Sequence, residues 1–169
     1  PAWWLHVAVG VRGWEDRLGR ALASVVVFGP VVLLTYAVAL ALGVISSALP
    51  WLTVIVAAFL TSLGLAVGVG AVLPGTAPRT GGNPFAATSG GAAQGCLTAL
   101  VSFIGPMLLT APVVLLVVLT SGSAAGRWAA LVVGTAYGAG ALAAGVVLGG
   151  RLLDRRAPEV LGQLAAAQI

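Results

Sequence analysis

The sequence contains no lysine, one cysteine, one histidine and only four acidic residues, and charge of either sign makes up 7% of its 169 positions. Each scarcity excludes something. A soluble domain carries roughly 25% charged residues, so this chain cannot dress a globular surface in water. Without lysine there is no GxxxxGK[ST] phosphate loop, and any ATP that drives this protein must bind another polypeptide. Cys96 stands alone, which rules out a disulfide framework within the chain and leaves it the expected part of a small packing hydrophobe. The single His6 lies near the N-terminus, away from the long apolar runs, and those runs hold no Asp, Glu, His, Arg or Lys in their interiors. Proton-coupled carriers place ionisable groups on the pathway, and intramembrane proteases need two carboxylates or a nucleophile with a base. Neither class is expected here, nor a metal site, a cofactor site or an enzyme. No basic run with interleaved aromatics is present to follow nucleic acid.

What is abundant is apolar: 60% of residues are hydrophobic and the mean hydropathy is +1.11. The chain opens on Pro1 rather than Met, so it is expected to be part of a longer protein, and the charges at Arg12 to Arg20 argue against a cleavable signal peptide. The organising stretch is PGTAPRTGGNPFAATSGG, Pro74 to Gly91, whose prolines and glycines mark a connection over residues 74–92. Two pairs of apolar segments flank it. The expected architecture is all-α: a polytopic membrane protein with four transmembrane helices as two hairpins plus interfacial amphipathic helices.

In order along the chain, residues 1–20 carry Trp3, Trp4 and Trp14, and Val11, Trp14 and Leu18, with Leu22 just beyond, recur at three- and four-residue spacing. Arg12, Asp16 and Arg20 fall on the other side at i,i+4, which predicts an amphipathic helix in the interface; the alternative is the solvated approach to a spanning helix. Residues 21–45 form a first span with no charge, longer than an apolar core of about 30 Å requires. Gly29-Pro30 inside it invites a kink. After a link over residues 46–50, the second span covers 51–73 and presents Gly64 and Gly68 at GxxxG spacing, a packing seam. The third span, 94–119, is expected to be broken or strongly bent at Pro106 and Pro112. The fourth, 128–149, repeats the small-residue spacing at Gly134 and Gly138. A tail over 151–169 should start a short surface helix near Pro158. Hydroxyls in the spans, Thr53, Thr61 and Thr110 among them, are expected to bond their own backbone or a neighbouring helix.

Four spans place the N-terminal segment, the central loop and the tail on one side, with Arg12, Arg17, Arg20, Arg79, Arg151, Arg155 and Arg156; the other side has only Arg127. The positive-inside rule assigns the arginine-rich side to the cytoplasm.

Three boundary stretches, GVRGWEDRLGRALA, GGNPFAATSGGAA and GGRLLDRRAPEVL, together resemble the C-terminal part of actinobacterial permease subunits of ATP-binding cassette exporters, the type-2 drug or antibiotic efflux class. The lysine-free, alanine-, valine- and arginine-rich composition is similar to that of proteins from high-GC genomes. The resemblance implies a multi-pass permease of the cell membrane that exports a hydrophobic or amphipathic compound. Its implied partners are a separate ATP-binding cassette ATPase subunit, the lipid bilayer and the remaining spans of the full-length permease. It also implies ATPase-coupling contacts, for which the candidates are Arg12, Asp16, Arg17, Arg20, Arg79 and Phe85. The arginines can equally serve as topology determinants and headgroup partners, and Asn83-Pro84-Phe85 as a turn. A non-transporting membrane scaffold or assembly subunit is the alternative reading. Pro30, Pro106 and Pro112 are candidate kink or pathway positions.

Overall fold

The computed structural model describes residues 12–72 and 89–166. These residues form four helices: α1 (Gly13–Ala41), α2 (Ala48–Val72), α3 (Ser89–Thr120) and α4 (Ala124–Ala166). All four are long and apolar enough to cross a membrane, and no strand occurs among the described residues. Most of the central loop, with Arg79 and Phe85, and the N-terminal Trp3, Trp4 and His6 lie outside the described residues.

The boundary anticipated near residue 20 is not a break. α1 runs unbroken from Gly13 into the apolar segment, so the charged turns that include Asp16 and Arg20 are the first turns of the spanning helix. Hydrogen bonding explains the continuity, because nothing between Arg20 and Ala21 removes a donor or requires a left-handed residue. α1 ends at Ala41, before the expected Ile45, at a Schellman motif. Val44 N–H donates to Ala39 O and Gly43 N–H to Leu40 O, each at 3.0 Å, with Gly43 at φ +70°. At the far end of the molecule α4 likewise continues to Ala166 through Pro158, without a separate tail helix.

α3 also departs from expectation, since it is one helix through Pro106 and Pro112. Each proline deletes one backbone donor, a local loss that the surrounding helical bonds can absorb. Thr110, one turn after Pro106, donates its hydroxyl to the Pro106 carbonyl at 2.7 Å.

Helix pairing follows glycine rather than sequence order. The most extensive contact is between α2 and α4, which run parallel; of the helix pairs that touch, sequential α3 and α4 touch least, and among the described residues α1 does not reach α3. The two hairpins, α1 with α2 and α3 with α4, are each in contact, but the parallel α2–α4 pairing between them makes the larger interface. Gly134 packs against Thr53, Gly138 against Ala57 and Leu60, Gly145 against Gly64, and Gly149 against Val67 and Gly68. Each step along α2 is matched by an equal step along α4. In hydrocarbon no hydrophobic drive pulls helices together, and close backbone approach through small residues supplies the van der Waals contact instead. The expected seam residues Gly64, Gly68, Gly134 and Gly138 thus come together at one interface.

The outer surface is apolar. Phe103 is 81% and Met107 79% exposed, and Val26, Leu34 and Leu119 are similarly bare. A patch of that extent is far beyond the few hundred Å² that soluble monomers show, and lipid is the solvent it suits. Cys96 belongs to this exposed surface, not to the packed interior anticipated for it.

The buried hydroxyls behave as the sequence suggested. Thr53, Thr61 and Thr110 each donate to the carbonyl four residues earlier, at 2.7 to 2.9 Å. Thr61 and Thr110 also approach one another at 3.3 Å across the α2–α3 contact. Thr61→Val removes that pair at constant shape. Each hydroxyl has one proton, shared with its own helix carbonyl, so the cost should be at most about 0.6 kcal/mol, the average of interhelical hydrogen bonds measured in a membrane bundle, while Thr53→Val, with no interhelical partner, should change unfolding in micelles by less.

Candidate functional site

Polar chemistry gathers where the start of α1 meets the ends of α2 and α4. The first N–H groups of a helix have no partner inside it. At α1 the Gly13 N–H donates to Asp154 Oδ1 of α4 at 2.9 Å, and the Arg12 N–H donates to Glu15 Oε2 at 3.1 Å. Both acceptors are carboxylates at the positive end of the helix dipole. The two backbones come close beside this bond, because a Cβ on Gly150 would lie 2.6 Å from the Trp14 nitrogen, and one on Gly13 would lie 2.6 Å from the Gly150 oxygen. Glycine at both positions is what lets α1 dock on α4.

One turn further along, Arg17 is 8% exposed while Arg20 lies open to solvent. Arg20 Nε pairs with Asp16 Oδ2 at 3.0 Å, and Arg17 Nε lies 3.9 Å from the same oxygen with no hydrogen-bond partner of its own among the described residues. A terminal nitrogen of Arg17 reaches 3.6 Å from the position a Cβ on Gly70 would take, so its side chain is laid against the end of α2. The candidates Arg12, Asp16, Arg17 and Arg20 are thus brought to one end, but they are not equivalent. Arg12 and Arg20 are presented outward, and Arg17 is part of the α1–α2 packing. Arg79 and Phe85 lie outside the described residues.

The proline candidates are scattered. Pro30 is exposed on α1 and Pro112 is exposed on α3, while Pro106 is half-buried. Three further residues were not singled out from the sequence. Gly145 and Gly149 repeat the GxxxG spacing that had marked Gly64 and Gly68, so a signal was present. Asp154 offered none, because a lone acid among arginines reads as surface charge.

A cleft of about 470 Å³ opens between α2, α3 and α4, lined almost entirely by carbon and glycine, with Thr61 as its one hydroxyl. No group of three or more metal-ligating side chains occurs among the described residues.

No family model, no curated protein and no solved structure matches this chain. The fold itself defines the class: an all-helical, multi-pass membrane protein with four apolar helices.

Proposed function

We propose that the chain is a four-span part of the permease of an ATP-binding cassette exporter, moving a hydrophobic or amphipathic compound out of the cell with energy from a separate ATPase subunit. The observation that supports this reading is the junction of α1 and α4. The stretches beginning GVRGWEDR and GGRLLDRR, two of the three that carry the family resemblance, meet there through Gly13, Trp14, Gly150 and Asp154. A push delivered to the exposed first turn of α1 would pass through that junction to α4, and through the glycine seam to α2, so the spans would move as a body. In this reading the arginine-rich end faces the cytoplasm of a cell whose plasma membrane holds the protein, and Arg12, Arg20 and the central loop with Arg79 and Phe85 meet the ATPase.

The test is a mild-detergent pull-down of the full-length protein with quantitative identification of what accompanies it. Near-stoichiometric recovery of an ATP-binding cassette subunit is expected, and Arg20→Glu should weaken the stimulation of its ATPase several-fold without altering insertion. A partner set of membrane proteins with no ATPase would overturn the reading in favour of a scaffold or assembly subunit. That alternative is favoured by one observation, the lack of any charged side chain along α2 and α3 and in the membrane-depth part of α4.

A further inference from the structure

The cleft between α2, α3 and α4 has a depth that selects its occupant. On α4 its lining runs from Ala141 to Leu152, a rise of roughly 17 Å at about 1.5 Å per residue. That is close to half of an apolar core about 30 Å thick. On α2 it runs from Thr61 to Val69, and on α3 from Leu109 back to Val101, so on all three helices it starts near the middle and extends toward the arginine-rich end. A further transmembrane helix would need a groove over the whole thickness. Half the thickness, entered from one side, is the reach of the acyl chains of one leaflet.

Charge at the mouth points the same way. Ala144 and Leu148, both in the lining, continue along α4 to Arg151 and Arg155 at i+7 and i+11 from Ala144, one stripe of a 3.6-residue helix. Both arginines are exposed, and among the described residues neither has an ion pair. Asp154, the acid between them in sequence, is engaged with the Gly13 N–H on the α1 side. In a helix the Cα–Cβ bonds tilt toward the N-terminus, which for Arg151 and Arg155 is toward the cleft, and arginine stems lie along apolar surface while their heads stay at headgroup level. A molecule with an alkyl chain for the cleft and a phosphate for the two guanidinium groups fits both parts.

We propose that this cleft, with Arg151 and Arg155 at its mouth, is a binding site for an anionic phospholipid drawn from the leaflet on the arginine-rich side. The volume lies within the range of about 300–1,000 Å³ usual for small-molecule sites. The proposal needs the chain to be embedded in a membrane but does not depend on its being a transporter.

The test is native mass spectrometry of the full chain, stripped of lipid in an uncharged detergent and titrated with phosphatidylglycerol or phosphatidylcholine bearing the same acyl chains. Phosphatidylglycerol should be retained with a preference on the order of tenfold or more, given two basic residues at the surface. Arg151→Gln with Arg155→Gln should bring the preference to within about threefold of unity, and Arg127→Gln, at the opposite end, should leave it intact. Ala144→Trp, which fills the cleft from α4, should reduce retention of both lipids at least tenfold; Val101→Trp fills it from α3 and serves if the first variant does not fold. The proposal is overturned if the two lipids bind equally, if Arg127→Gln acts like the double variant, or if neither tryptophan affects retention. It is overturned too if inorganic phosphate displaces the lipid, or if the cleft proves to be covered by a second copy, seen as a lipid-free dimer that either tryptophan disperses.

Discussion

Gly145→Ala is expected to destabilise the bundle by about 3 kcal/mol or more, the high end of overpacking penalties, although it adds a single methyl group and raises helix propensity. The added Cβ would fall on the Gly64 carbonyl oxygen, with the Gly64 carbonyl carbon at 2.6 Å and its Cα at 2.8 Å. Carbon atoms pack best at about 3.5–4.0 Å. The obstruction is backbone on backbone, and no rotamer change can relieve it. α2 and α4 would have to separate, and because the same seam joins Gly138 to Ala57 and Gly149 to Gly68, separation at one point weakens dispersion along the whole contact. Gly140 supplies the control on the same helix, with nothing within 4 Å of its Cβ position. Gly140→Ala should be neutral or stabilising by up to about 1 kcal/mol, the helix-propensity gain. Reversible unfolding in mixed micelles measures both; equal effects would mean that the seam is not what holds α2 to α4.

The second large effect concerns α1. Its buried residues are Gly13, Arg17 and Ala21, all in the first three turns, and beyond them most of the helix surface is bare. The junction with α4 is therefore the largest attachment of α1, to which Arg17 against the end of α2 and the Tyr36 hydroxyl on Ala48 O at 2.6 Å add smaller ones. Asp154→Ala deletes the carboxylate that accepts from Gly13, a cap worth about 0.5–2 kcal/mol. Gly150→Val drives a branched side chain into the Trp14 backbone, 2.6 Å from where its Cβ would begin. Together they should release the start of α1. Spin labels at the exposed positions Leu18 and Arg155 should report one narrow distance distribution in the parent and a broad, longer one in the double variant. A distribution that stays narrow would show that α1 is held elsewhere.

The spans were legible because hydrophobic composition over twenty residues is a large signal, on the order of several kcal/mol of insertion free energy each. What pairs with what was not. Gly64, Gly68, Gly134 and Gly138 announced close approach, yet a GxxxG pattern does not state its partner, and chain adjacency gave the two hairpins without the larger α2–α4 contact between them. The prolines misled for a related reason. Pro106 and Pro112 each weaken α3 locally, but whether a helix breaks depends on neighbours, and α2 lies alongside with Leu65 against Gly105. At the arginine-rich end, the i,i+4 spacing of Asp16 and Arg20 correctly gave their ion pair. It could not give the burial of Arg17, which comes from the end of α2, or the cap by Asp154, which comes from a residue 141 positions away.

The parallel pairing of α2 with α4 also sets a sequence of events. When α2 enters the bilayer, the residues that will fill its Gly64 and Gly68 notch have not yet been synthesised. Gly149 follows Gly68 by roughly 80 residues, about 4–16 s of synthesis at ordinary rates of translation, and part of that interval remains when α2 enters. During that interval the notch is open to any small-residue helix nearby, another nascent copy included. The chain's most vulnerable moment thus falls before its last span arrives, and substitutions in α4 will show themselves first as failures of biogenesis.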